Sequence, residues 1–472
     1  VTGGEFTALL PLLGIAATSV VLMATVTVRR LGRGSLLITL AGLAASFGLL
    51  FGARTVAPTP VPPLLLIDGH ALFFIGLIIA TAATVAVLAF DYLLRRDCDV
   101  EEFFLLLLFA TLGSCVLASS THFASLFLGL EILSVSLYAM VAYLRSSGRS
   151  LEAGVKYLIL AAVSSAFLLF GMALVYAETG RLELGALLAG GSLMGLAGFA
   201  LIMVGVGFKL ALAPFHMWIA DVYEGAPAPV TAFVATASKA AVVALLLRLM
   251  ATMGTPSPRI TWFLALLAGV TIILGNLLAL RQDNVKRLLA YSSIAHLGYL
   301  MIAVVAGGSS GAEAAAFYLA AYLPTTLVAF GIVTVLSSGE RDRDRLSDYM
   351  GLGRSRPTAA ILLTVSLLSL AGIPLTAGFI GKFLVLGSGI AAGWWSLALI
   401  LVLGSVISIF YYLRVVVAMY MRPAPEGPPD HPGPPVPLVA GATLAVLLGV
   451  ILWLGIWPGP FLEVVATAVG AL

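Results

Sequence analysis

Charge is what this chain has least of. Only 10% of its 472 residues are charged, against 61% hydrophobic, and its mean hydropathy is +1.11. A soluble domain carries about 25% charged residues. That excludes an aqueous home, and no nucleic-acid partner is expected; the formal charge of +3 says little. Cysteine is nearly absent as well. Cys98 and Cys115 form no CxxC, and no two histidines stand in HxxxH spacing. Neither a metal nor a redox site has a ligand set here. The first apolar run, 6–28, lacks a basic leader and a small-residue cleavage site, so it is expected to be a retained span and not a signal peptide.

What remains is long apolar runs without alternation. In a hydrocarbon layer about 30 Å thick only helices of about 20 residues or closed barrels satisfy the backbone. These runs read as helices, and the expected fold is an all-α polytopic membrane protein. About fourteen spans emerge: 6–28, 35–53, 69–94, 102–120, 122–144, 151–177, 193–222, 228–252, 260–280, 285–306, 313–337, 357–387, 394–421 and 436–457. The Pro-rich stretch 423–437 is expected to be an extended loop. With the N-terminus outside, the inner connections collect fifteen arginines, from Arg29 and Arg30 to Arg356 and Arg422, and the outer ones only Arg54, Arg181 and Arg259. Basic residues favour the inner side. Both termini are therefore expected outside.

Lysine is scarcer still. There are five, Lys156, Lys209, Lys239, Lys286 and Lys382, against twenty arginines kept mostly to loops and span ends. An amine can surrender its proton when it leaves water, whereas a guanidinium effectively cannot. Lysine inside and arginine outside is the division expected of a protein that passes protons through oil. Lys286, at a span edge, is expected to snorkel to the headgroups; Lys156 could do the same or take part in transfer. Lys209 and Lys239 are too central for that, and a charge there costs at least about 2.5–3.5 kcal/mol. Glu131 is the only carboxylate deep within a span, with Ser134 and Tyr138 on its face. Lys209 is its expected partner, with an attraction of roughly 3 kcal/mol at about 5 Å and an effective dielectric of 20. The alternative is a static buried ion pair.

Two expected spans are about ten residues longer than crossing requires, and each holds a proline near its centre: Pro214 in LALAPFHMW and Pro374 in LAGIPLTAGFIGKF. A proline removes a backbone donor and frees a carbonyl. Paired interrupted helices point to a transport site built from inverted repeats. The prolines stand 160 residues apart, and SLYAMVA at 136–142 resembles LGYLMIA at 297–303 at an offset of 161. Five spans per unit is odd, which opposes the two copies. The expected organisation is 1–101 as three N-terminal helices, 102–252 and 260–421 as the two repeats, and 436–472 as a final helix. His216 follows the first proline, and His296 shares a helical face with Ser292, Ser293 and Tyr299. Each histidine could relay protons or hold water.

GFKLALAPFHMWIADVYEGAP at 207–227, KRLLAYSSIAHLGY at 286–299 and SLAGIPLTAGFIGKF at 369–383 resemble the antiporter-like membrane subunits of respiratory complex I. The resemblance covers all the expected spans. It implies that Glu131 pairs with Lys209, that Lys239 is a connecting amine, that Lys382 belongs to the exit half-channel, and that Lys156 matches a lysine of the sixth span. It implies no cofactor in this chain, with NADH, FMN, iron–sulfur clusters and quinone on partner subunits. The partners it implies are other membrane subunits of the complex, the lipid bilayer, protons and water, in a bacterial inner membrane. The rival readings are a subunit of a multisubunit Na⁺/H⁺ antiporter, told apart by copurifying redox subunits, and a structural spacer whose lysines stay ion-paired.

Thiol labelling checks the orientation. In a cysteine-free background, Ser146→Cys should react with a membrane-impermeant reagent only from the inside and Ser310→Cys only from the outside; the opposite pattern contradicts the assigned sidedness.

Overall fold

A computed structural model describes residues 2–189, 192–254, 257–423 and 436–470, so most of the expected Pro-rich loop lies outside the described residues. The chain opens with α1 (Gly3–Val28), α2 (Arg33–Arg54) and α3 (Gly69–Leu94), with a small antiparallel ribbon of β1 (Thr59–Val61) and β2 (Leu65–Ile67) between the last two. Next come α4 (Val100–Ser119), α5 (Phe123–Val141), α6 (Gly148–Thr179), α7 (Leu193–Leu210), α8 (Ile219–Gly225), α9 (Ala228–Ala235) and α10 (Ala237–Met253). Then follow α11 (Pro258–Ala279), α12 (Val285–Ala306), α13 (Gly308–Leu336), α14 (Leu352–Ser355), α15 (Pro357–Ala371), α16 (Ala377–Ala391) and α17 (Trp395–Met421). The chain closes with α18 (Leu438–Ile456) and α19 (Gly459–Val469). Among the described residues thirteen segments are long and apolar enough to cross a membrane. The broken pair α15–α16 stands where the remaining expected span was placed.

All of these helices are apolar, so burial and not composition sorts them. The most apolar stretches of α13 and α9–α10 are 100% buried, whereas those of α1, α2 and α18 are 28%, 22% and 28% buried. The central helices are surrounded by protein, and the peripheral ones turn much of their surface outward. Without a hydrophobic force between helices in lipid, close approach depends on small residues. On α4, a Cβ at Gly113 would stand 2.6 Å from the Leu133 backbone nitrogen on α5. On α11, a Cβ at Gly275 would stand 2.6 Å from the Ala295 backbone nitrogen on α12. Both positions in the second crossing lie 162 residues beyond those in the first.

The two expected breaks share a local geometry. Helix α7 ends where Ala211 turns left-handed at φ +58°; the Leu212 N–H donates to the Gly207 carbonyl at 2.8 Å and the Ala211 N–H to Phe208 at 3.0 Å. Helix α15 ends where Gly372 does the same at φ +85°, with Ile373 donating to Leu368 and Gly372 to Ser369, each at 3.0 Å. These are Schellman-type ends, matched at an offset of 161. Ala211 adopts this turn despite its Cβ, at a cost of about 1–2 kcal/mol. The turn ahead of each proline sets the break, since α13 runs unbroken through Pro324. Three features differ from the sequence expectation. The eighth span is interrupted at Thr236, between α9 and α10. The β1–β2 ribbon and α19 also lie outside the expected spans.

The glycine crossings are testable. Gly113→Val and Gly275→Val should each cost about 1–3 kcal/mol through overpacking against backbone that cannot retreat. Gly48→Val, which meets nothing within 4 Å, should stay within about 0.5 kcal/mol. Thermal denaturation in detergent checks the order.

Candidate functional site

The α7 break places Lys209 on the last turn of its helix, 3% exposed. Its Nζ donates to Tyr157 Oη on α6 at 3.1 Å and lies 5.2 Å from that ring's centre. Trp218 stacks on Tyr157 at 4.8 Å, and Tyr138 meets it edge-on at 5.3 Å. Trp218 Nε1 donates to the Phe208 carbonyl at 2.9 Å. Glu131 is half-buried on α5, and its carboxylate accepts from Ser165 Oγ at 2.6 Å. The expected partnership is therefore indirect: no ion pair within 4 Å is found between Glu131 and Lys209 among the described residues. Tyr157 takes the amine and Ser165 the carboxylate.

Lys239 on α10 is fully buried. Its Nζ donates to Ser293 Oγ on α12 at 2.7 Å and lies 3.5 Å from the Leu210 carbonyl. Ser293 Oγ in turn bonds Tyr322 Oη on α13 at 2.7 Å. One turn along α12, His296 holds Tyr318 Oη through Nδ1 at 2.7 Å and Tyr412 Oη through Nε2 at 3.2 Å. Tyr412 also contacts Ser292 Oγ. His296, Tyr318, Tyr322, Thr325 and Ser369 line a cavity of about 10 Å³, about the space one water needs. His296 meets Tyr299 edge-on at 5.7 Å. Tyr299 lies 5.0 Å beneath the Lys382 ammonium, which donates to the Ala371 carbonyl at 2.8 Å.

The structure thus brings Lys239, His296 and Lys382 onto one polar column, with Lys209 at the break beside it. Hydroxyl groups both accept and donate, so such a column can pass a proton by accepting on one side and donating on the other. His216 stands apart. It is buried, and its Nδ1 has no partner among the described residues. Tyr318, Tyr322, Tyr412 and Asn276, whose Nδ2 donates to Tyr299 Oη at 2.9 Å, are not among the residues that stood out in the sequence. A signal was present: Tyr318, Tyr322 and Thr325 recur at helical spacing on an otherwise apolar run.

Residues 120–408 match the sequence profile of a family described as "NADH:quinone oxidoreductase/Mrp antiporter, TM". The chain belongs to this family. It is 48% identical over 477 residues to NADH-quinone oxidoreductase subunit N of Methylococcus capsulatus, covering 98% of this chain and 95% of the relative. It is 46% identical to the subunit N of Ectopseudomonas mendocina, covering 99% and 97%. A chain in the structure of respiratory complex I from Thermus thermophilus with bound aureothin superimposes with a TM-score of 0.85 at 38% identity, covering 98% and 100%.

In this NADH:quinone oxidoreductase/Mrp antiporter chain, ion pairs ring the column. Lys156 bonds Glu152 at 2.7 Å and Asp221 at 2.9 Å, with its side chain 43% exposed, and Arg287 ties Asp221 to Glu224 at 2.8 Å each. The structure places Lys156 in this rim. Lys286 does not snorkel as expected. It is buried, donating to Asp342 at 2.7 Å and to the Ala226 carbonyl at 2.6 Å. The loop after α13 folds back over the end of α12 and carries the carboxylate to it. Asp342 also accepts from Arg96 at 2.8 Å and Tyr92 at 2.7 Å. Burial pushes this loop carboxyl up, and Lys286 and Arg96 more than reverse that, holding it below 3.8. A vestibule of about 520 Å³ opens here, with Arg96, Ser147, Glu224 and Asp342 in its wall. At the opposite end of the bundle, Arg248 holds Asp68 through two bonds at 2.8 and 2.9 Å.

Asp342→Asn should destabilise the chain by about 3–5 kcal/mol, because it strands two buried cations. The sign of the pH effect follows from a depressed carboxyl: its stabilisation is present above the unfolded value near 3.8 and lost as pH falls through the lower folded value. Thermal melts of parent and variant should converge in that acid range and diverge near neutrality.

Proposed function

We propose that the chain is the proton-translocating, antiporter-like membrane subunit of a bacterial NADH-quinone oxidoreductase, moving protons outward as electrons pass through partner subunits. The observation that carries this is the column: buried amines at Lys209, Lys239 and Lys382 whose hydrogen-bond partners are hydroxyls and carbonyls. The relatives at 46–48% identity that bear the name subunit N support the same reading. Protons load from the inner vestibule to Lys209 or Lys239. They pass along Ser293, Tyr322, His296 and Tyr318 to Lys382 and leave on the outer side. A change in the Glu131 field at Lys209 gates the step. Moving one proton against 100 mV takes about 2.3 kcal/mol, comparable to the roughly 3 kcal/mol that a carboxylate exerts on an amine about 5 Å away at an effective dielectric of 20.

In this reading the chain itself binds no cofactor. NADH, FMN, the iron–sulfur clusters and quinone belong to partner subunits, and neighbouring membrane subunits flank this one with both termini on the outer side. Segments 102–252 and 260–421 act as inverted halves, which the matched helix ends and glycine crossings support. The family description equally names Mrp antiporters; a preparation that carries Na⁺/H⁺ exchange without copurifying redox subunits would favour that reading.

Lys209→Met and Glu131→Gln should leave the complex assembled and lower proton pumping by at least about tenfold, the loss for 1.4 kcal/mol in a barrier. Pumping at the parent rate in both variants contradicts the gate.

A further inference from the structure

The two helix breaks leave two particular carbonyls over. Leu210 would ordinarily accept from the N–H of residue 214, but that residue is Pro214 and has none. The carbonyl at the same place 161 residues on is Ala371. Its helical donor would be Leu375, which has turned left-handed at φ +72°. The Schellman-type bonds satisfy the carbonyls just before, at Gly207 and Phe208 and at Leu368 and Ser369. Leu210 and Ala371 thus sit at the C-terminal ends of half-helices, where unpaired carbonyls and the helix dipole gather roughly half a negative charge.

A lysine ammonium meets each of them, Lys239 at 3.5 Å and Lys382 at 2.8 Å. The lysines themselves are not equivalent. Lys239 lies 29 residues from its carbonyl and Lys382 only 11. At the offset of 161, Lys239 matches Ile400 and Asp221 matches Lys382. What recurs is the seat and not the amine. We propose that each helix break is a binding seat for an ammonium-sized monovalent cation, built on the freed carbonyl of Leu210 or Ala371, and that Lys239 and Lys382 are its tethered occupants. A second group completes each seat: Ser293 Oγ at the first and the face of the Tyr299 ring at the second. A carbonyl acceptor beside a hydroxyl or an aromatic face suits a compact cation, an N–H donor or an alkali ion of similar size. It does not suit a bulky quaternary one, whose methyl groups keep its charge away from the carbonyl.

The inference rests on the proposed transport function only for its activity readout. In native membranes holding the assembled complex, Lys382→Ala should lower this subunit's share of the NADH-driven membrane potential rate about tenfold, the loss of one charge-assisted bond. Ammonium or methylammonium should restore at least about threefold of it, and tetramethylammonium none. Membrane potential is read in place of a pH gradient because ammonia dissipates the latter. Lys239→Ala provides the same test at the other seat. Loss without restoration at both seats overturns the inference and leaves the transport reading standing; an undiminished rate in both variants sinks the transport reading. A density map of the Lys382→Ala complex in rubidium salt decides the seat without any pumping: a peak beside the Ala371 carbonyl supports it, and none there overturns it.

Discussion

Hydrocarbon offers no hydrogen bonds, so every polar group carried into it must find its partner within the protein. The rest of the structure follows from that requirement. Breaking α7 and α15 frees carbonyls in the middle of the bundle. The chain answers with Schellman-type turns, the Trp218 indole and two lysine ammoniums. Lys239 comes from α10, whose apolar stretch is fully buried, whereas α1 and α2, which supply no such partner, turn much of their surface outward.

The buried cations divide by the charge of their partners. Arg96 and Arg248 are held by Asp342 and Asp68, and Lys286 shares Asp342 with Arg96. These pairs lie toward the ends of the bundle and pin loops to helix ends. Removing a proton from one of them would leave a buried carboxylate uncompensated, at a cost of several kcal/mol. Lys209, Lys239 and Lys382 instead donate to tyrosine, serine and backbone oxygens. Losing a proton there breaks no direct ion pair. The chemistry of the partners sets these two groups of cations apart.

Much of this was legible in the sequence. Scarce charge and long apolar runs pointed to a helical membrane bundle, and Pro214 and Pro374 marked the two breaks. Lysine among arginines drew attention to Lys209, Lys239 and Lys382, which the fold buries at and beside the polar column. Other parts had no local signature. Lys286 reads as a span-edge residue because its partner Asp342 arrives from a loop 56 positions away. Arg248 hides in the same manner, with Asp68 lying 180 positions off. Tyrosine in an apolar run passes for packing, and only the fold shows Tyr318, Tyr322 and Tyr412 converging on His296 and Ser293. Glu131 and Lys209 stand out in the sequence as a pair, but only the fold shows that Ser165 holds the carboxylate and Tyr157 the amine, within a stack of Tyr138, Tyr157 and Trp218.

The central claim is that the column's amines alternate between charged and neutral. Arginine tests it most directly, because it keeps the charge and the hydrogen bonds but effectively cannot release a proton. The measurement is the proton-to-electron ratio of the assembled complex carrying Lys382→Arg. The account predicts a ratio reduced by this subunit's whole share. A ratio equal to that of the parent complex would contradict it.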